Sequence, residues 1–210
     1  RMVGQIIWAT RFEEVITKEK VGGKLGGLIG GTEVTVYTYY ANFAVALCEG
    51  PVAGIGRIWA DGRELDQESA TFRVHLGADD QDIDPLIEAK EGEAPAYRGV
   101  CHVVFERLDL TQFNNRIPQL AIEVYRAVGA LEPMVDGVAI IAGNEFGFDT
   151  EFVKKTDGTS ENRHTLCAPT DWTASLDRLA QLAPNCRSAM LVCPWFGDDL
   201  RAGVCTIRPK

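Results

Sequence analysis

Residues 32–48 constrain the fold more than any other stretch of the chain. Thr35, Tyr37, Tyr39, Phe43, Val45 and Leu47 fall on odd positions, with Val34, Val36 and Tyr40 between them. A side-chain period of two is that of a β-strand, whose successive residues face opposite sides of a sheet. Both sets are at least partly apolar, so the strand is expected to be covered on both faces. A strand this long pairs with segments distant in sequence, and the rest of the first 130 residues supplies candidates. Residues 6–16 are rich in β-branched and aromatic side chains. Glu49-Gly50-Pro51 ends the long strand. Residues 55–60, the Asp61-Gly62 pair and Arg63-Glu64-Leu65 form a hairpin signal, because Asp-Gly tolerates the positive φ of a type I′ turn. Phe72, Val74 and Leu76 alternate as a short strand, and residues 100–108 and 119–126 add two more. In the last, Leu120, Ile122 and Val124 point one way. Asp84-Pro85 opens a short helix over 86–90, with aspartate as N-cap and proline in the first turn.

The pattern changes near residue 130. Val138-Ala139-Ile140-Ile141 and Ala189-Met190-Leu191-Val192-Cys193 are short continuous apolar runs, the pattern of strands covered on both faces. Between them Thr170-Asp171 caps an amphipathic helix carrying Trp172, Leu176, Leu179 and Ala183, ended by Pro184-Asn185. Strand, helix and strand make a βαβ unit. The expected fold is therefore mainly β with a minor α/β part. Residues 1–130 form a β-barrel or sandwich-like domain, and residues 131–210 an α/β segment.

Composition narrows the function. Twenty-one basic residues against thirty acidic ones leave a net charge of −9, and the basic residues are scattered, which argues against a duplex nucleic-acid partner. No apolar stretch reaches the ~20 residues of a membrane span, and the first residues lack the pattern of a signal peptide. Six cysteines, at 48, 101, 167, 186, 193 and 205, lie far apart with no CxxC. They are expected to be reduced and mostly buried, with folding in a cytoplasm. The histidines at 75, 102 and 164 share no ligand spacing, and no metal or cofactor is expected.

Several motifs suggest chemistry. Residues 21–31 carry six glycines around Gly23-Lys24, but no Ser or Thr follows the lysine, so the stretch is a flexible loop rather than a phosphate cradle. Asp79, Asp80, Asp82 and Asp84 cluster like a calcium loop but lack its Gly and Glu positions. Glu106 and Glu123 fall on solvent-side strand positions. Trp8, Phe12, Tyr37, Tyr39, Tyr40, Phe43 and Trp59 suit a core or a subunit interface better than a sugar platform. The best enzymatic constellation is carboxylates on the loops after the two later strands: Glu145, with Asp198 and Asp199 beside Trp195 and Phe196. Paired carboxylates near aromatics resemble a glycosidase site. The bland alternative has Asp198-Asp199 capping a turn and pairing with Arg201. Two strands are far short of the eight a closed barrel needs, so no catalytic residue is assigned and the chain is expected not to be an enzyme.

Ordered blocks then carry a resemblance. Ala41-Asn42-Phe43-Ala44-Val45-Ala46-Leu47-Cys48-Glu49-Gly50-Pro51-Val52-Ala53-Gly54-Ile55-Gly56-Arg57-Ile58-Trp59-Ala60-Asp61-Gly62 resembles the hub region of phage tail-tip proteins. That family includes the host-specificity proteins of long-tailed phages and the large baseplate ("megatron") protein of gene transfer agents. Ala94-Pro95-Ala96-Tyr97-Arg98-Gly99, Val104-Phe105-Glu106 and Asn115-Arg116-Ile117-Pro118-Gln119-Leu120 fit the same segment in order. Gly143-Asn144-Glu145-Phe146-Gly147, Thr170-Asp171-Trp172 and Trp195-Phe196-Gly197-Asp198-Asp199-Leu200-Arg201 resemble the start of the glycosidase-like TIM-barrel domain of the gene-transfer-agent version. The resemblance implies a structural hub at the tail tip or baseplate of a virion, built as a homotrimer beneath the distal tail protein and touching other baseplate proteins. Such a hub serves host attachment and passes DNA through the cell envelope without binding it specifically. It also implies a longer protein, of which these 210 residues are a piece. The alternative is a carbohydrate-active module acting on surface glycans, with Glu145 and Asp198 as its test residues.

Overall fold

The long strand is the spine of the molecule. In the computed structural model it runs as β4, Thr32–Glu49, and the structure describes residues 1–21, 32–127, 129, 131–141, 149–193 and 195–209. Two units are distinct, Arg1–Val124 and Tyr125–Lys210.

In the first unit β1 (Met2–Val3), β2 (Gln5–Ala9) and β3 (Glu13–Val21) precede β4. The apolar stretch over 6–16 is thus two strands, parted by residues 10–12. The expected glycine-rich loop lies, beyond Val21, outside the described residues. After β4 come β5 (Gly54–Ala60), β6 (Arg63–Glu64), β7 (Thr71–His75), the helix α1 (Pro85–Glu91), β8 (Val100–Asp109) and β9 (Leu120–Tyr125). They build two sheets: one ordered β1-β9-β5-β6, the other β2-β4-β8-β7 with β3 also paired to β4. Neither sheet closes on itself among the described residues. Of the two forms the sequence allowed, barrel or sandwich-like, the barrel is therefore set aside.

The period of two explains the packing. Phe43, Val45 and Leu47 of β4 meet Cys101, Val103 and Phe105 of β8, with Ile58, Leu120 and Ile122 from the other sheet, in one buried core. Phe43 and Phe105 stack with ring centroids 5.0 Å apart, and Phe72 lies 5.7 Å from Phe105. Fully burying such side chains stabilises by roughly 1.5–3 kcal/mol each. The opposite face of the same strands offers Ala44 and Val104, covered by Ile87 and Leu86 of α1, Trp8 and Tyr97. Both faces of β4 are covered here, as the alternation implied. Its outer half differs: Val34 is 42% exposed and Tyr37 52%, because β8 reaches β4 only from the pair Tyr40–Asp109 onward.

Local chemistry sets the joints. Asp61 (φ 50°) and Gly62 (φ 82°) form the expected turn between β5 and β6. The Asp84 carboxylate accepts the Leu86 and Ile87 amides at the start of α1, and the Gly92 amide donates to the Glu88 carbonyl at its end. Where β4 leaves the sheet, Gly50 and Gly77 lie backbone to backbone. A Cβ on Gly77 (φ 84°) would sit 2.8 Å from the Cys101 nitrogen and 2.8 Å from the Gly50 Cα. Gly77→Ala is therefore expected to destabilise the unit by about 2–3 kcal/mol, from overlap and left-handed strain together. Urea denaturation checks this, with Gly62→Ala, whose Cβ would meet nothing within 4 Å, as the milder control at about 1 kcal/mol.

In the second unit β10 (Gly137–Ile141) and β11 (Ser188–Val192) pair in parallel, with α2 (Asp171–Leu182) between them in the chain. Thr170 is the N-cap, its hydroxyl accepting the Thr173 amide. A short antiparallel pair follows, β12 (Trp195–Gly197) with β13 (Ile207–Pro209). The strand–helix–strand order is as expected, but the expected burial is not. Only Ile140 of β10 is buried, and every residue of β11 is exposed, Met190 at 64%. A continuous apolar run reports the cover a parallel pair requires. The described residues of this unit supply two such strands and leave their faces open.

The cysteines also differ from expectation. All six are free thiols, but only Cys101 is buried; Cys193 is exposed and the others are intermediate.

Candidate functional site

The carboxylates of the proposed glycosidase-like constellation do not converge among the described residues. Glu145 lies outside the described residues. Asp198 accepts the Thr206 amide at 2.8 Å. Asp199 accepts the Arg201 amide at 2.8 Å and its guanidinium at 2.9 and 2.6 Å. The Arg201 hydrogen bonds hold the Asp199 carboxyl below the usual carboxylate range. Both acids thus build the turn after β12, while Trp195 and Phe196 beside them stay open to solvent. Asp199→Ala is expected to leave the denaturation midpoint of the chain unmoved and to increase protease cleavage within 198–206. Mass spectrometry of a timed digest measures it.

The acidic cluster over 79–84 separates by burial. Asp79, Asp80 and Asp82 are exposed, whereas the Asp84 side chain is fully buried and anchors a polar network. Its Oδ2 accepts Arg73 Nε at 2.7 Å and lies 3.0 Å from His75 Nε2, and its Oδ1 accepts Arg73 Nη2 at 3.1 Å. Arg73 also reaches Glu106 at 2.7 Å. Burial pushes the Asp84 carboxyl up, but the hydrogen bonds from Arg73, His75 and the Leu86 amide outweigh it and hold it at about 2. His75 stacks on His102 at 4.5 Å, and Tyr97 approaches His102 edge-on at 5.3 Å. Burial lowers the affinity of His102 for a proton. The histidines have no common spacing in sequence, yet they are direct register partners across β7 and β8; only the strand pairing could have found them. No group of three or more metal-ligating side chains occurs among the described residues. The network ties α1 to the sheet beneath it, a structural task.

A second missed pair is His164 and Asp171. His164 Nδ1 lies 2.6 Å from Asp171 Oδ2, with the ring largely exposed and the aspartate buried. The same aspartate accepts the His164 amide at 2.8 Å, so it anchors the segment before α2.

The aromatic set divides. Phe43 is core, and Tyr39 is half-buried with its hydroxyl donating to Glu14 at 2.6 Å. Trp8 donates to Glu91 at 2.9 Å. Trp59 lies under Arg1 at 4.0 Å, and Tyr40 under Arg107 at 4.7 Å. Phe12 and Tyr37 remain exposed. Glu123 and Glu106, expected on solvent sides, bridge to Arg57 and Arg73.

A groove of 420 Å³ is lined by Gly4, Gln5, Ile6, Val45 and residues 116–120. Beside it Ile6 is 50% and Val3 63% exposed. Asp61 organises its wall, accepting the Gln119 amide at 2.9 Å and Arg116 Nη2 at 2.8 Å. No helix among the described residues is long and apolar enough to cross a membrane.

No family model matches the chain, and no curated protein does. Among solved structures, it is similar to a chain of the "Virion of native gene transfer agent (GTA) particle", with 42% sequence identity over 61% of this chain and a TM-score of 0.45. This chain spans about a quarter of that one's length, 25%.

Proposed function

We propose that the chain is a structural component of a phage tail or gene-transfer-agent particle. Within it, the first unit is a hub domain at the tail tip or baseplate, and the second is the opening of a glycosidase-like barrel. The protein acts through subunit contacts, as a homotrimer meeting the distal tail protein and other baseplate proteins, and DNA passes it only in transit.

One observation carries this reading: the residues that resemble the hub family are the ones that hold the first unit together. Gly50 of the first block donates its amide to Gly99 of the second at 2.8 Å. Phe43 and Ala44 pair in register with Phe105 and Val104 of the third. Asp61 clamps Arg116 and Gln119 of the fourth. These residues of the first unit are framework. The residue identity with the gene-transfer-agent virion chain, rather than the superposition, is in line with it. The acidic balance of −9 suits a wall that DNA slides past, because like charges do not adhere.

Purified particles test the proposal. The full-length protein is expected in their tail fraction, at three copies per particle by quantitative mass spectrometry. Absence from particles overturns the role. The carbohydrate alternative is promoted instead if the full-length protein hydrolyses surface glycans and Glu145→Gln abolishes it.

A further inference from the structure

Strands β4 and β8 set two thiols against each other. Cys48 and Cys101 are direct register partners, and a bulge separates that pair from Ala46–His102. Strict alternation would turn Cys48 to the face opposite Leu47. In the bulge two residues of one strand oppose one of the other, so Leu47 and Cys48 both stand against Cys101. The packing agrees: Leu47 and Cys101 belong to the core of the first unit, and Cys48 packs against that same core. This unit contains just these two cysteines; the other four lie in the second.

The spacing suits a bond between them. Directly opposed residues of an antiparallel ladder have Cα atoms about 4.5–5.5 Å apart, inside the roughly 4.4–6.8 Å that a disulfide spans. Their Cβ atoms, at about 4.5–5.5 Å, need draw together only to the ~4 Å of a disulfide. Cys48 is the last residue but one of β4 and Cys101 the second of β8. Beyond them the ladder holds one more pair, Glu49–Val100, so little resists that approach. Access is graded as well. Cys48 is partly exposed, whereas Cys101 is wholly buried, so an oxidant meets Cys48 first and Cys101 stands behind it.

We infer that Cys48 and Cys101 are a redox pair, which a low-molecular-weight disulfide converts into a cross-strand disulfide pinning the end of β4 to the start of β8. The Cys48 thiolate attacks one sulfur of the small disulfide, forming a mixed disulfide and expelling one small thiolate. The Cys101 thiolate then attacks Cys48 Sγ, forming the Cys48–Cys101 bond and expelling the second. Two cysteine thiols lose two protons and two electrons, and the small disulfide gains them as two thiols. The new bond closes roughly 50 residues of chain, including β5, β6, β7 and α1, and so restricts the unfolded state. It also fixes the joint at which Gly50 and Gly77 lie backbone to backbone. The pair stays open in a reducing compartment and closes in an oxidising one.

The test treats the folded chain with glutathione disulfide, unfolds it in the presence of an alkylating agent, and digests it with trypsin without reduction. Residues 25–57 and 99–107, tryptic peptides with one cysteine each, are expected as one linked species from chains that run as monomers without reductant. The linked chain is expected to melt at least about 5 °C above the reduced one, and dithiothreitol to reverse the rise. Cys48→Ser, treated in parallel, is expected to keep Cys101 as a thiol and to show no rise, which separates the pair from the four thiols of the second unit. Cys101→Ala is expected to stop at the mixed disulfide on Cys48. Alkylation of both cysteines in treated wild type would overturn the pair. So would glutathione held on Cys48 beside an unreacted Cys101, or linked peptides that form only when the treatment is done in urea. A linked chain that melts no higher than treated Cys48→Ser would overturn the pinning.

Discussion

Truncation of Phe105 to alanine is expected to cost about 3–5 kcal/mol, enough to unfold a large share of a marginally stable unit. The ring is wholly buried, stacks on Phe43 at 5.0 Å and touches Phe72 at 5.7 Å. All three belong to one sheet, on strands that pair directly, so the surrounding backbone cannot collapse into the space without breaking ladder hydrogen bonds. Chemical denaturation with fluorescence of the four tryptophans measures the loss. Phe105→Leu, which keeps most of the volume, is expected to lose less than half as much. Equal losses for the two variants would mean that the site relaxes freely.

Asp84→Ala carries the second large effect, again about 3–5 kcal/mol. It leaves Arg73 without its buried counter-charge and His75 without its 3.0 Å carboxylate partner, and frees the Leu86 and Ile87 amides that the carboxylate caps. Asp84→Asn keeps an acceptor and is expected to fall between alanine and wild type. Acid titration separates charge from shape. With its folded value at about 2 against 3.8 for an ordinary aspartate, the ionised group contributes stability that is complete above pH ~4. That contribution, about 2 kcal/mol, is lost as pH falls from there through the folded value. Wild type and Asp84→Asn are thus expected to converge toward pH 2. His102 acts in a higher window. Burial lowers its proton affinity in the folded state, so the unfolded chain binds the proton more readily and stability declines as pH falls below about 6.5. His102→Gln is expected to remove that upper slope and leave the lower one. A single slope in wild type, unchanged by either substitution, would contradict the assignment.

The sequence was most legible where a local rule and the tertiary fold agree. Asp61-Gly62 adopts the turn its residue types demand, Asp84-Pro85 starts a helix, and the alternation around Phe43 and Val45 names the core face. It was least legible where the deciding partner is distant. His75 and His102 meet because β7 and β8 are in register, and the Arg73–Asp84–Glu106 bridge joins three elements, none of which advertises the others. Val138-Ala139-Ile140-Ile141 misled differently. Its apolar run encodes a need for cover that the described part of its unit does not meet. Asp198 and Asp199 show the same limit from the functional side: acids beside aromatics suggest catalysis until their oxygens are seen to accept backbone amides and Arg201.

Strand β4 has a mechanical consequence. One unbroken backbone passes from its outer half, paired with β3, into the center of the unit, and β3 and β8, two of its three partners, would meet a pull in different ways. Force drawing β3 and β4 apart at the Val21–Thr32 end loads their hydrogen bonds one at a time, so that pair peels at low force. Force along β4 loads the β4–β8 ladder in shear, with all its bonds resisting together against the interlocked Phe43 and Phe105 rings. The outer pair would therefore part while the body stays intact, a compliant end on a stiff anchor.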